Sequence, residues 1–141
     1  AAGNWSSSGS RTIVIDTTAP AITGTTVASN NASIAVTFSE AVYNTSGGSG
    51  ALEASDFTLT LSGGTATLAS ATPSSISSSS NTYTLGLSLS GTPNGSETIT
   101  VVPSSSTAIY DAVGNAASTS PSNNTVTLND KTAPTITGTT V

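Results

Sequence analysis

Residues 32–39 read ASIAVTFS, and this stretch decides the fold. Ile34, Val36 and Phe38 alternate with small or hydroxyl-bearing residues, so every second side chain is large and apolar. Successive side chains of a β-strand point to opposite faces, and this alternation therefore predicts a strand with one buried face. Threonine supports the same prediction, because its stiff χ1 favours the half-buried surface of a sheet.

The same alternation recurs along the chain and predicts seven strands in total. The other six are a first strand over 20–28, DFTLTLS (56–62), TATLASA (65–71), YTLGLSL (83–89), ETITVV (97–102) and NTVTL (124–128). Phe38, Phe57 and Tyr83 fall at core positions of these strands. Seven short antiparallel strands, each with one apolar face, predict an all-β protein with an immunoglobulin-like seven-stranded antiparallel β-sandwich.

Composition narrows the functions that the chain can have. Of 141 residues, 27 are serine, 27 are threonine and nine are charged, with a net charge of −5 and no cysteine or histidine. Disulfides and the usual zinc sites need residues that are missing, and a basic patch for nucleic acid is absent from the sequence. The sequence has no run of 18 apolar residues, the length that would predict a membrane-spanning helix. Because the usual general base and thiol nucleophile are also missing, we expect a protein that is not an enzyme.

An internal repeat organises the chain. Residues 16–27 read DTTAPAITGTTV and residues 130–141 read DKTAPTITGTTV, so that ten of twelve positions are identical at a spacing of 114 residues. A period of this length suits a complete globular domain in series rather than one turn of a solenoid. We therefore predict one sandwich repeat over 16–130, the C-terminal strand region of a preceding repeat over 1–15, and the first strand of a following repeat over 131–141.

Alternating strand directions predict that the acidic residues gather at the ends of the sandwich. Five of the seven fall at one end, called the acidic pole from here on. The five are Asp16, Glu40, Glu53, Asp56 and Asp111. The other two, Glu97 and Asp130, fall at the opposite end, called the outgoing pole because the chain leaves the sandwich there. In a tandem array, the outgoing pole of one repeat meets the acidic pole of the next.

Carboxylates that lie close together without basic partners repel one another unless a cation offsets the charge. Calcium suits such a cluster, because it accepts six to eight oxygen ligands, backbone and amide carbonyls included, in flexible geometry. The sequence thus predicts a calcium site at the junction of repeats. Its candidate ligands are Asp16, Glu40, Asp56, Asp111, Asn115 and Asp130. The alternative is that these are solvated turn residues, since aspartate commonly starts turns.

Four phrases, taken in order, carry a resemblance to a known family. They are DTTAP (16–20), FSEAVY (38–43), ASDFTLT (54–60) and YDAVGN (110–115). Together they resemble the bacterial immunoglobulin-like tandem repeats of giant surface adhesins, including those of the swimming-motility surface protein. The resemblance covers the whole 114-residue unit. It implies an extracellular β-sandwich at the cell surface, and several proteins of this kind bind calcium at domain junctions.

The sequence therefore predicts a structural spacer repeat of an extracellular bacterial adhesin or fibre, whose partners are adjacent repeats of the same protein. Two alternatives remain open. In the first, the loops at 44–54 and 103–123 bind a glycan or a protein at the cell surface. In the second, identical subunits polymerise head to tail by exchanging terminal strands, because strand addition completes the hydrogen bonds of an open sheet edge.

Overall fold

The computed structural model describes residues 15–139 of the chain. This part is all-β, with nine strands and a single 3-10 turn at Ala54–Asp56. The strands are β1 (Ile22–Val27), β2 (Ser33–Phe38), β3 (Phe57–Ser62), β4 (Thr67–Leu68), β5 (Ile76–Ser79), β6 (Thr82–Gly86), β7 (Leu89–Ser90), β8 (Thr98–Pro103) and β9 (Thr125–Thr127). No helix in the described range is long and apolar enough to cross a membrane. The predicted strand region of a preceding repeat lies outside the described residues, apart from Ile15.

The strands form antiparallel sheets that enclose one core. One sheet has four strands in the order β1-β2-β6-β5, a second has three in the order β3-β8-β9, and β4 pairs with β7. Alternate side chains of β2 and β8 are buried, as a period of two requires. The most deeply buried apolar residues come from both larger sheets and from the segment after β8: Ile34, Val36, Phe57, Leu59, Leu85, Ile99, Val101 and Ile109. The prediction of an all-β protein is confirmed, and the layers are consistent with a β-sandwich.

Three aromatic rings join the two larger sheets. Phe38 of β2 and Tyr83 of β6 meet edge to face with ring centroids 5.8 Å apart, and Phe57 of β3 lies 6.4 Å from Phe38 and 6.2 Å from Tyr83. Separations of this size are the favourable range for aromatic pairs. All three rings are buried, which confirms their predicted core positions.

The strands differ from the predicted set in the middle of the chain. Within TATLASA only Thr67 and Leu68 form a strand, β4. The stretch YTLGLSL divides into β6, which pairs with β2 and β5, and β7, which pairs with β4. The strand β5, ISSS, shows no apolar alternation, since three of its four residues are exposed at a sheet edge.

The pairing registers define the two poles. Ile22 pairs with Phe38 and Phe57 pairs with Pro103, so the start of β1, the end of β2, the start of β3 and the end of β8 lie at the acidic pole. At the outgoing pole, Thr98 at the start of β8 pairs with Thr127 at the end of β9. The first strand of a following repeat was predicted over 131–141; its described part, residues 131–139, belongs to no strand and is exposed.

Candidate metal centre

Three carboxylates converge at the acidic pole. Oxygen atoms of Asp16, Glu40 and Asp111 all lie within 4.8 Å of one another. Asp16 precedes β1, Glu40 follows β2, and Asp111 lies in the long connection between β8 and β9. The cluster is therefore assembled from three segments that are distant in the sequence and adjacent only in the fold.

A short backbone pairing holds two of these segments side by side. The N–H of Tyr43 donates to the carbonyl of Tyr110 at 2.8 Å, and the N–H of Tyr110 donates to the carbonyl of Tyr43 at the same distance. This bridge ties the segment after β2 to the connection that contains Asp111. Glu40 and Asp111 are consequently brought together by main-chain hydrogen bonds rather than by their own side chains.

Asp111 shapes the DAVGN turn around its own carboxylate. Oδ1 accepts the N–H groups of Val113, Gly114 and Asn115 at 2.9, 2.6 and 2.8 Å. Burial opposes ionisation of this side chain, but the hydrogen bonds from Asn115, Gly114 and Val113 outweigh it and hold the pKa of Asp111 below its ordinary value. The turn needs glycine at position 114, where φ is +103°. Asp111 is thus a fixed, ionised acceptor at the centre of the group.

Asn115 contributes hydrogen-bond donors at this site. Its Nδ2 donates to Oδ2 of Asp111 at 2.7 Å and to the backbone carbonyls of Asp16 and Thr18 at 3.2 and 3.4 Å. With three oxygen acceptors around this nitrogen, the reverse orientation of the amide would bring its oxygen against three others. Asn115 therefore positions Asp16 and Asp111, with its side-chain oxygen directed elsewhere.

Ionisation of Glu40 is disfavoured by its position in the group. This carboxylate is half-buried, and burial together with the neighbouring carboxylates of Asp111 and Asp16 raises the pKa of Glu40 above its ordinary value. Lys131 is the one basic residue among residues 15–139, and its backbone binds Pro93 at the outgoing pole. The repulsion at the acidic pole is therefore not offset by a described basic side chain.

The remaining predicted ligands lie outside this group. Asp56 is at the acidic pole, but its Oδ2 accepts the N–H of Glu53 at 2.7 Å and caps the turn before β3. Asp130 is exposed at the outgoing pole, where its Oδ1 accepts the N–H of Thr132 at 2.8 Å. The structure therefore brings together three of the six candidates, with Asn115 beside them, and the ligand roles of all six stay predictions.

The chemistry of the group fits a hard cation. The three side chains are all carboxylates, and one oxygen of Asp16 is already engaged by the N–H of Thr18 at 2.9 Å. Oxygen donors of this kind suit calcium, magnesium or manganese rather than zinc or copper. Asp16, Glu40 and Asp111 are the residues that could hold such an ion.

The glycine-rich loop of residues 44–50 packs against the same pole. It folds back on itself, with the N–H of Thr45 donating to the carbonyl of Ser49 at 3.1 Å. Gly48 approaches the DAVGN turn so closely that a Cβ atom there would lie 3.1 Å from the carbonyl oxygen of Ala112. This part of the 44–54 loop, which the sequence suggested as a ligand-binding element, thus belongs to the surroundings of the carboxylate group.

Comparison with known proteins adds one solved structure. No protein-family model matches the chain, and a search of curated proteins gives no match. The fold is similar to the N-terminal part of the bacterial S-layer protein SbsC, with a TM-score of 0.53 and 26% sequence identity over 78% of this chain. The match covers 23% of that structure, so the chain spans about a quarter of its length. The structural neighbour is therefore part of a bacterial surface-layer protein.

The outgoing pole contains a buried carboxylate whose role the sequence did not distinguish. Glu97 is buried, and its carboxylate accepts the N–H groups of Thr65, Ala66, Asn94 and Gly95 at 2.8, 3.0, 3.0 and 3.1 Å. Burial alone would raise its pKa, but these backbone hydrogen bonds, led by those from Ala66, Thr65 and Asn94, lower the pKa of Glu97 to about 2. No sequence pattern marks such a residue, because the groups that donate hydrogen bonds to it are main-chain N–H groups, which every residue except proline has.

Proposed function

We propose that this chain is a structural repeat of a bacterial cell-surface protein, acting as a non-enzymatic spacer in an extracellular tandem array. Its similarity to part of an S-layer protein supports a structural role at the cell surface. The 114-residue sequence repeat supports the tandem arrangement. Adjacent repeats of the same protein are then its principal partners.

The proposal includes an immunoglobulin-like topology. If the short strands β4 and β7 are set aside, seven strands remain, in a sheet of four and a sheet of three. The first sheet contains the first, second, fifth and fourth of these strands, and the second contains the third, sixth and seventh. This order supports the proposal, because the two sheets of constant-type immunoglobulin domains are ABED and CFG.

The observation that carries the proposal is that the two copies of the repeated segment begin with the same turn at opposite poles. Oδ1 of Asp16 accepts the N–H of Thr18 at 2.9 Å, and Oδ1 of Asp130 accepts the N–H of Thr132 at 2.8 Å. A following repeat would start at the outgoing pole in the conformation that this repeat uses at its acidic pole. Asp130 would then stand in the next carboxylate group where Asp16 stands in this one.

Exposure of the second copy supports the same arrangement. Ile22 is 3% exposed in the core, whereas its repeat equivalent Ile136 is 87% exposed. Burying an isoleucine side chain contributes about 2 kcal/mol. A following sandwich would bury Ile136 in the position that Ile22 occupies here.

Calcium is the cation that we propose for the group of Asp16, Glu40 and Asp111. It would relieve the repulsion that raises the pKa of Glu40 and would tie the incoming segment to the turn at Asp111. Removing the charge of Glu40 has two opposite effects on the melting temperature. It relieves repulsion, which stabilises the metal-free protein, and it removes a ligand, which weakens the stabilisation by calcium. Substitution of Glu40 can separate them.

The experiment measures the melting temperature of the chain with a chelator and with millimolar calcium. Calcium should raise the Tm of the parent. Glu40→Gln should raise the Tm in chelator by about 3 °C, because partly exposed like charges cost under 1 kcal/mol, and should reduce the gain that calcium brings. Glu53→Gln is the control, since it removes the same charge at the same pole outside the group. An unchanged parent Tm at millimolar calcium would refute the calcium site.

A further inference from the structure

We infer that successive repeats share the segment that begins at Asp130, so that the junction is a rigid interface rather than a free linker. The preceding repeat accepts hydrogen bonds from the N–H and hydroxyl groups of this segment, and the following repeat donates hydrogen bonds to its carbonyl groups. The inference rests on the proposed tandem arrangement and names the partner of the acidic pole. That partner is the loop of residues 92–95 of the preceding copy.

The outgoing pole already grips the segment from one side. The N–H of Lys131 donates to the carbonyl of Pro93 at 2.8 Å, and Oγ1 of Thr132 donates to the same carbonyl at 3.4 Å. Asp130 packs against Gly95, where a Cβ atom would lie 3.2 Å from the Cβ of Asp130. The segment therefore leaves the sandwich along the 92–95 loop.

The loop that makes this grip is itself fixed. The buried carboxylate of Glu97 accepts hydrogen bonds from the N–H groups of Asn94 and Gly95 and so fixes the loop to the interior of the fold. Directly before the segment, Nδ2 of Asn31 donates to the carbonyl of Asn129 at 2.7 Å, and Oδ1 of Asn31 accepts the N–H of Asn129 at 2.9 Å. The direction in which the chain leaves the repeat is consequently set by groups within the fold.

The acidic pole grips the equivalent segment through different atoms. Nδ2 of Asn115 donates to the carbonyls of Asp16 and Thr18. These residues correspond to Asp130 and Thr132 at the spacing of 114 residues. In a following repeat, the residue equivalent to Asn115 would therefore bind the carbonyls of Asp130 and Thr132.

The two sets of hydrogen bonds are compatible on one segment. The preceding repeat uses the N–H of Lys131 and the hydroxyl of Thr132, whereas the following repeat would use the carbonyls of Asp130 and Thr132. The Asp130–Thr132 turn uses a third set, one carboxylate oxygen and one N–H. No atom is needed twice. Neighbouring residues of an extended chain direct their backbone groups to opposite sides, which suits a segment held between two modules.

The test is a protein of two units in series, residues 1–141 followed by residues 28–141, which keeps the natural junction. The chain has no cysteine, so Ser62→Cys in each unit provides two unique spin-label sites on an exposed residue. Pulsed electron paramagnetic resonance, carried out in the presence of a chelator, measures the distribution of distances between the two spin labels. The inference predicts a narrow distribution. Asn115→Ala in the second unit should broaden it about twofold toward that of a flexible linker.

The matched control is Asn115→Ala in the first unit, which has the same local effect away from the internal junction and should leave the distribution narrow. A second pair serves where Asn115→Ala unfolds its unit. Lys131→Pro at the internal junction removes the N–H that binds Pro93 and should broaden the distribution, whereas Lys131→Pro in the second unit should not.

A broad distribution in the parent, or equal effects of the paired substitutions, would overturn the inference. Calorimetry on the same protein distinguishes this failure from failure of the proposed function. Two folded units joined by a mobile junction would leave the structural repeat in place and remove only the shared segment. Units that do not unfold cooperatively would instead remove the proposed repeat. Because the measurement is made in chelator, absence of a calcium effect would not decide its outcome.

Discussion

At the scale of single residues, the outgoing pole depends on a carboxylate that carries no visible sequence signal. Glu97 is buried and accepts N–H groups from two loops, one at Thr65 and Ala66 and one at Asn94 and Gly95. Donors that lose a buried acceptor are left without a partner, which costs more than the net value of the bond. The acid therefore acts as a structural anchor between these loops.

Glu97→Gln should lower the Tm by about 10 °C, because the amide nitrogen of glutamine cannot accept hydrogen bonds from the N–H groups that now face an oxygen. Thermal unfolding followed by circular dichroism measures this change. Asp130→Asn is the matched control at the same pole. Its side chain is exposed and asparagine keeps the oxygen that accepts the N–H of Thr132, so its Tm should stay within about 2 °C of the parent. Equal effects of the two substitutions would contradict the anchor role.

The same residue makes stability depend on pH in the acid range. The pKa of Glu97 is lowered from 4.5 to about 2 in the folded chain. A lowered pKa contributes stability that is fully present above pH 4.5 and is lost as the pH falls toward about 2. The free energy of unfolding from urea titrations should decline across this window, and Glu97→Gln should decline less steeply. Parallel curves for parent and variant would show that Glu97 is not responsible.

At the scale of elements, the aromatic contacts between β2, β6 and β3 hold the two larger sheets together. Phe57→Ala should reduce the free energy of unfolding by about 4 kcal/mol, because it removes a buried ring and leaves a cavity between the sheets. Thr58→Ala in the same strand should cost at most about 1 kcal/mol, since this half-buried side chain points to the other face. Urea unfolding measures both. A small effect of Phe57→Ala would show that the sheets do not depend on this contact.

The elements also show why the predicted strand set was incomplete. The stretch 32–39 contains both the apolar alternation and the β-branched residues that favour a strand, and β2 occupies most of it. The strand β5 lacks the alternation and has one β-branched residue, Ile76, so that this edge strand is defined by its pairing with β6. Alternation detects a buried face. It does not detect a ladder of main-chain hydrogen bonds.

At the scale of the whole molecule, a contact between Asn31 and Asn129 joins the turn between β1 and β2 to the end of the sandwich after β9. Asn31 has φ of +59° and makes its side-chain hydrogen bonds across 98 residues of sequence. Asn31→Ala should cost about 3 kcal/mol, since it removes the bonds and places alanine in a left-handed conformation. Asn31→Gly should cost less, because glycine accepts that conformation. Equal losses in urea unfolding would show that only the hydrogen bonds matter.

The candidate metal centre was predicted in part. Alternating strand directions were sufficient to assign Asp16, Glu40 and Asp111 to one end of the sandwich, and these three carboxylates do lie together. The same reasoning could not separate them from Asp56, which lies at that end but caps its own turn. It also could not determine which way the amide of Asn115 points. Both outcomes depend on hydrogen bonds between segments that are far apart in the sequence.

The sequence by itself determined the class of fold, the core residues that the main strands contribute and the 114-residue period, because side-chain alternation and repetition are local properties of the chain. Only the tertiary structure decided which carboxylates come within 4.8 Å of one another, and that Glu97 is buried among N–H groups. The reason is physical: distances between turns depend on how the sheets pack, and main-chain donors are the same at every residue until the fold directs them to one acceptor.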